Sequence, residues 1–161
     1  MATVYVLIGL PGSGKSTFRD KHIAANPTIE FVTCSTDDLI EEFAAKEGIT
    51  YDQAFKKINF KDLQAKFRQR FREAVNNGKD VIVDRTNMSI KSRKEFLKNL
   101  PASYETVGVV FVVNDIELKR RLDARALATG KSIPEDAIKA MATRYAAPEP
   151  GEFTRVVRIF Q

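Results

Sequence analysis

The run Gly9-Leu-Pro-Gly-Ser-Gly-Lys15-Ser16 sets glycines, one cation and one hydroxyl at spacings that suit a chain of phosphates. It fits the pattern G-x-x-x-x-G-K-[ST], a phosphate-binding loop, or P-loop. Gly12 and Gly14 permit backbone angles and a close approach that side chains would block. Lys15 is suited to neutralise β- and γ-phosphates, and the Ser16 hydroxyl to sit on Mg²⁺. The expected ligand is a nucleoside triphosphate held by Gly12, Ser13, Gly14, Lys15, Ser16 and Thr17. An apolar run, Val4–Ile8, precedes the loop and a helical pattern follows it. That order aims free N–H groups and the positive end of a helix dipole at the anion.

Carboxylates come next. Ser35-Thr36-Asp37-Asp38 follows an apolar strand and so lies where ligands of α/β sheets gather. Asp37 is placed to orient an acceptor hydroxyl and take its proton. Asp38 admits two readings, an acceptor contact or a carboxylate complementing the start of a helix. Asp80-Val-Ile-Val-Asp84 is a buried strand ending in an acid, the Walker B arrangement, which places Asp84 beside Ser16 as a second Mg²⁺ ligand. Arg85, Thr86 and Asn87 follow at the same end of the sheet and are acceptor-side candidates. Arg93, further on, points either toward the acceptor or to the surface. In Lys119-Arg-Arg-Leu-Asp-Ala-Arg125, Arg121 and Arg125 sit four apart on one helix face. They suit a lid that stabilises the charge of a transferring phosphoryl group, with its tip at Thr129-Gly130-Lys131.

Elements of the right kind are available to hold these groups. Strand candidates Val4–Ile8, Phe31–Cys34, Val81–Val83, Val107–Val113 and Val156–Phe160 alternate with helical patterns near 16–25, 37–46, 51–77, 90–99, 116–127 and 135–145. Such alternation predicts an α/β fold: a single P-loop domain over residues 1–161, with a five-stranded, mainly parallel sheet, helices on both faces and an Arg-bearing lid. Phe60, Leu63, Phe67, Phe71 and Val75 form an apolar stripe on one helix, whose other side carries Lys61, Lys66, Arg68, Arg70 and Arg72.

Composition removes several alternatives. A single cysteine, Cys34, excludes an internal disulfide and a cysteine-based zinc site. The one histidine, His22, has no partner motif and reads as a packing or solvent-facing residue. No apolar run is long enough for a membrane span, and no targeting segment is recognisable, so a cytoplasmic protein without a membrane partner is expected. The net charge of +5 suits a polyanionic partner such as nucleic acid without deciding for one. An ATPase or a nucleotide-dependent binding module remains the alternative class; it should position a water with Gln or Glu rather than offer an acceptor-type Asp.

With these pieces in order, the chain resembles the kinase domain of polynucleotide 5′-hydroxyl kinases, including those joined to 3′-phosphatases. The resemblance covers nearly the whole chain. It rests on GLPGSGKST at 9–17, STDD at 35–38, DRTN at 84–87 with Arg93 beyond, and R-x-x-x-R followed by K-x-[IV]-P. It implies ATP as donor with Mg²⁺, Asp37 as general base, Lys15 and Arg125 as the phosphoryl clamp, and Arg121 near the adenine or the phosphates. It also implies nucleic acid as the acceptor, with Arg85, Thr86 and Asn87 of the DRTN turn shaping the acceptor and phosphate side; Asp38 and Arg93 stay acceptor-binding candidates from their own positions. One departure stands out. The family commonly carries Arg three residues after the base, holding the acceptor's neighbouring phosphate, and here that position is Ile40. A bidentate contact of about 1.5–3 kcal/mol is missing. Either Arg85, Arg93 or Lys57 replaces it, or the acceptor differs: a hydroxymethylated base, a nucleoside or another small molecule.

Overall fold

The computed structural model describes residues 1–161. Five strands make one sheet in the order β2-β3-β1-β4-β5: β1 (Thr3–Ile8), β2 (Phe31–Ser35), β3 (Asp80–Asp84), β4 (Glu105–Val112) and β5 (Arg155–Phe160). Every ladder is parallel. A parallel strand covered on both faces needs continuous apolarity rather than alternation, and β1 and β3 meet that need. Val4, Val6 and Ile8 turn to one face with Val81 and Val83. Leu7 and Ile82 turn to the other with Val107, Val109 and Phe111.

The first face is covered by α2 (Thr36–Glu47), α4 (Phe60–Asn76) and α5 (Ile90–Leu97), through Leu39, Ile40, Leu63, Phe67, Phe71 and Phe96. The second face carries α1 (Lys15–Ala25), through Phe18 and Ile23. His22 belongs to this layer and packs: its ring stacks on Phe18 at 5.4 Å and meets Tyr5 edge-on at 4.6 Å. The remaining helices are α3 (Tyr51–Lys57), α6 (Asp115–Thr129) and α7 (Glu135–Thr143), the last two flanking the turn expected as the lid tip.

The helical pattern over 51–77 resolves into two helices rather than one. Ile58 is extended at φ −67°, ψ 138°, and the Asn59 side chain accepts from the N–H groups of Lys61 and Asp62 to open α4. An Asn that can bond the backbone beyond it favours a cap over a helix interior. The apolar stripe of α4 holds at Leu63, Phe67 and Phe71, while Phe60, in the first turn, stays half exposed.

Candidate active site

All the loops that matter meet at the carboxyl end of the sheet. The turn out of β1 carries the glycine loop, and Gly14 opens α1 at φ 98° without any side-chain cap. The first turn of α1 has no acidic residue. By contrast α2, α3, α4, α5 and α6 are capped by Ser35, Thr50, Asn59, Ser89 and Asn114. The orphan N–H groups of α1 therefore have neither a protein oxygen nor a protein carboxylate to meet them, the condition for an anion at a helix start. Gly12 has φ +81°, and a β-carbon there would lie 3.0 Å from Leu122 of α6. Gly12→Ala is expected to lower stability by about 1–2 kcal/mol through left-handed strain alone, read as a lower urea midpoint.

Lys15 is only 9% exposed, and its ammonium donates to the carbonyls of Gly9 at 2.9 Å and Leu10 at 2.8 Å. Burial pulls its pKa down to about 8; Asp84 and Asp37 oppose that fall and Arg125 adds to it. The three groups named with Lys15 from the sequence are thus its charged neighbours in the fold. Asp84 ends β3, 9% exposed. Burial pushes its carboxyl up, against Lys15 and Arg19, while Asp38 and Asp37 push the same way as burial. Ser16 and Thr17 stand exposed at the first turn of α1. Arg121 bonds Glu117 at 2.8 Å and reaches the Gly12 carbonyl at 3.5 Å, which puts it on the rim of the loop. Arg125 forms no ion pair, so its guanidinium is uncommitted beside Lys15.

Arg19, one turn after Lys15 on the same face of α1, escaped the reading of the sequence. It donates to Asp84 at 2.9 Å and approaches Asp38 at 3.5 Å. The i, i+4 spacing from Lys15 was the available signal. Asp38 lies in the first turn of α2, as its helix-start reading requires; its N–H donates to the capping Ser35 hydroxyl at 3.2 Å, and its carboxylate faces Arg19.

The acceptor-side candidates separate. Arg85 lies over the rings of Phe67, at 4.9 Å, and Phe96, at 5.8 Å, between α4 and α5. Asn87, with φ 49°, turns inward: its amide donates to the carbonyls of Leu7, at 2.7 Å, and Arg85, at 3.2 Å. The neighbouring Thr86 carbonyl accepts from the Gly9 N–H at 3.0 Å. These two residues hold the entry of the glycine loop against β3. Arg93 faces neither an acceptor nor solvent. It is 0% exposed and forks onto Glu152, at 2.5 and 3.2 Å. Its remaining donors reach the carbonyls of Asn87 and Met88, both at 3.1 Å.

For Mg²⁺ the structure offers an exposed hydroxyl at Ser16 and the carboxylate of Asp84, which has only Arg19 as a hydrogen-bond partner. No cluster of three or more His, Cys, Asp or Glu residues forms a closed metal cage. Hard oxygen donors, few of them protein-supplied, suit an ion that keeps waters and phosphate oxygens as its other ligands. The residues present fit that ion.

Comparison with known proteins agrees with this architecture. The family model described as "AAA domain" matches residues 4–148. Heterogeneous nuclear ribonucleoprotein U-like protein 2 of Mus musculus is 23% identical over 152 residues, covering 93% of this chain and 20% of that protein. Among solved structures, a chain of the Pnkp1/Rnl/Hen1 RNA repair complex superposes with a TM-score of 0.67 at 26% identity, covering 89% of this chain and 43% of that one. A gluconokinase from Sinorhizobium meliloti 1021 superposes with a TM-score of 0.56 at 18% identity, covering 99% and 82%. The chain therefore spans about a fifth of the curated relative and under half of the RNA repair chain. It has a P-loop kinase fold, and such a fold implies nucleotide binding.

Proposed function

We propose, from the premise that this chain belongs to the AAA domain family, that it is an ATP- and Mg²⁺-dependent phosphotransferase acting on a hydroxyl of nucleic acid, foremost the 5′-OH end of DNA or RNA. The observation that carries this reading is the convergence of Lys15, Asp37, Asp84 and Arg125 in one electrostatic neighbourhood beside the uncapped start of α1. An acceptor-type carboxylate at a phosphate cradle belongs to transfer onto a hydroxyl. Asp37 takes the proton as the acceptor oxygen bonds to the γ-phosphorus. The bond from that phosphorus to the β,γ-bridging oxygen breaks, and ADP leaves with the bond's electrons. Lys15 and Arg125 meet the charge on the equatorial oxygens, with Arg121 at the rim. Ser16 and Asp84 would hold Mg²⁺, which neutralises phosphate charge when bound. Asp38, Thr86 and Arg85 stay on the acceptor side of this reading, with Asn87 and Arg93 supporting the turn after β3 that carries Arg85 and Thr86.

A second reading keeps the chemistry and changes the acceptor to a hydroxymethylated base, a nucleoside or another small molecule. Ile40 favours it: the side chain is 1% exposed in the core, so no guanidinium stands three residues after Asp37 to grip a phosphodiester. The RNA repair likeness and the net charge of +5 favour nucleic acid.

The test is transfer of labelled γ-phosphate from ATP to a 5′-OH single-stranded oligonucleotide, to a free nucleoside and to hydroxymethylated DNA. Asp37→Asn runs beside the wild type. End-labelling that falls at least about 100-fold in the variant supports the leading reading. Labelling of the nucleoside or modified base alone supports the second. ATP turnover with no acceptor labelled would return the protein to the ATPase class.

A further inference from the structure

We propose that Tyr51 is a positioning residue for Asp37, its hydroxyl fixing the carboxylate while Lys131 of the lid holds its ring. The proposal rests on the reading of Asp37 as the base. Asp37 lies exposed near the start of α2, and an exposed aspartate ordinarily samples several rotamers. Here the Tyr51 hydroxyl donates to Asp37 Oδ1 at 2.7 Å. One carboxylate oxygen is thereby engaged and Oδ2 is left for the acceptor's proton. A base held in one orientation avoids the large rate losses that misplacement brings.

The tyrosine is itself held from three directions. It is the first residue of α3, whose start is closed by a capping box: Thr50 accepts from the Gln53 N–H at 3.2 Å and Gln53 accepts from the Thr50 N–H at 3.0 Å. Its ring stacks on Phe55, 6.4 Å between centroids. On the ring lies Lys131, with Nζ 4.3 Å from the centroid, a cation–π contact. The same ammonium pairs with Glu41 of α2. Lys131 follows the C-terminal glycine of α6, the helix that carries Arg121 and Arg125. The lid that brings the arginines therefore also seats the ring that orients the base. Burial, and then the bond to Asp37, push ionisation of the Tyr51 hydroxyl upward, so it remains a donor through neutral pH.

Tyr51→Phe keeps the ring and its seat under Lys131 and removes only the hydroxyl. The expected result is a kcat about tenfold lower, with KM for ATP and for the acceptor within twofold of wild type. Added to Asp37→Asn, it should cost nothing more, because the hydroxyl acts only through the carboxylate. Lys131→Met should likewise lower kcat, by less, and add nothing in the Tyr51→Phe background. Losses that multiply with Asp37→Asn, or a Tyr51→Phe variant equal to wild type, would overturn the proposal. If Asp37→Asn alone leaves transfer intact, the base assignment fails instead. One measurement needs no acceptor: in protein labelled with ¹³Cζ-tyrosine, Asp37→Asn should shift one tyrosine resonance, the one absent in Tyr51→Phe. No shift means that the bond does not form in solution, and the proposal falls.

Discussion

Lys15→Met is expected to lower phosphoryl transfer by about three orders of magnitude and to abolish a proton uptake that accompanies ATP binding. Both effects follow from one geometry. The ammonium sits nearly buried on two carbonyl dipoles, and its pKa has dropped from an ordinary 10.5 to about 8. At pH 8 the nucleotide-free protein therefore carries about half a proton on Lys15, and the phosphates draw in the rest, so binding takes up about half a proton. Calorimetry in two buffers of different ionisation enthalpy measures this directly. The sign extends to stability. Because the folded pKa lies below the unfolded one, the unfolded chain binds more protons between about pH 8 and 10.5. The Lys15 contribution therefore becomes more favourable as pH rises through that window, and its burial penalty is fully present below it. Equal proton uptake in wild type and variant would remove Lys15 as its source. Transfer within tenfold of wild type would remove it from the reaction.

What could be read from the chain was what it writes locally. The glycine loop is eight consecutive residues, and the strand before it and helix after it are adjacent in sequence, so spacing alone carried the cradle. The sheet was equally legible, because parallel strands covered on both faces need unbroken apolar runs and those runs are separated by helical periods. Where sequence reading fell short, the missing fact was a partner far away. Arg93 has no reason to be buried until Glu152, 59 residues on, closes over it. Asn87 reads as an acceptor contact until the strand order brings the Leu7 carbonyl, 80 residues back, to its amide. The single helix over 51–77 failed for a local reason of another kind: periodicity does not reveal that Asn59 prefers to cap. Tyr51 and Asp37 are 14 apart on different helices, and only the packing of α3 on α2 brings them together.

Arg93→Met is expected to destabilise the protein by about 3–5 kcal/mol, a cost set by what it would strand rather than by the pair it breaks. In the native fold Arg93 and Glu152 have side chains 0% and 3% exposed. Burial alone would push the Glu152 carboxyl up, yet the hydrogen bonds from Arg93 hold it below its ordinary value. A depressed carboxyl contributes stability that is present above the unfolded pKa of about 4.5 and is lost as pH falls through the lower folded value. The wild type should therefore lose stability on acidification, and Arg93→Met should lose that part of the dependence. Removing both charges, with Arg93→Met and Glu152→Met together, should recover much of the loss, since an apolar pair leaves no buried charge. Nucleotide binding should weaken in the single variant as well. Arg93 holds the Asn87 carbonyl, Asn87 holds β1 at Leu7, and Thr86 holds the Gly9 N–H at the mouth of the phosphate loop. The Met88 carbonyl, a second acceptor for Arg93, also takes the Ala146 N–H just beyond α7. One buried guanidinium thus ties the glycine loop to the segment that follows α7. Urea denaturation of the three proteins at neutral and acid pH measures the stability terms. A single variant within about 1 kcal/mol of wild type, or a double variant no more stable than the single, would show that the cost does not arise from the stranded carboxylate.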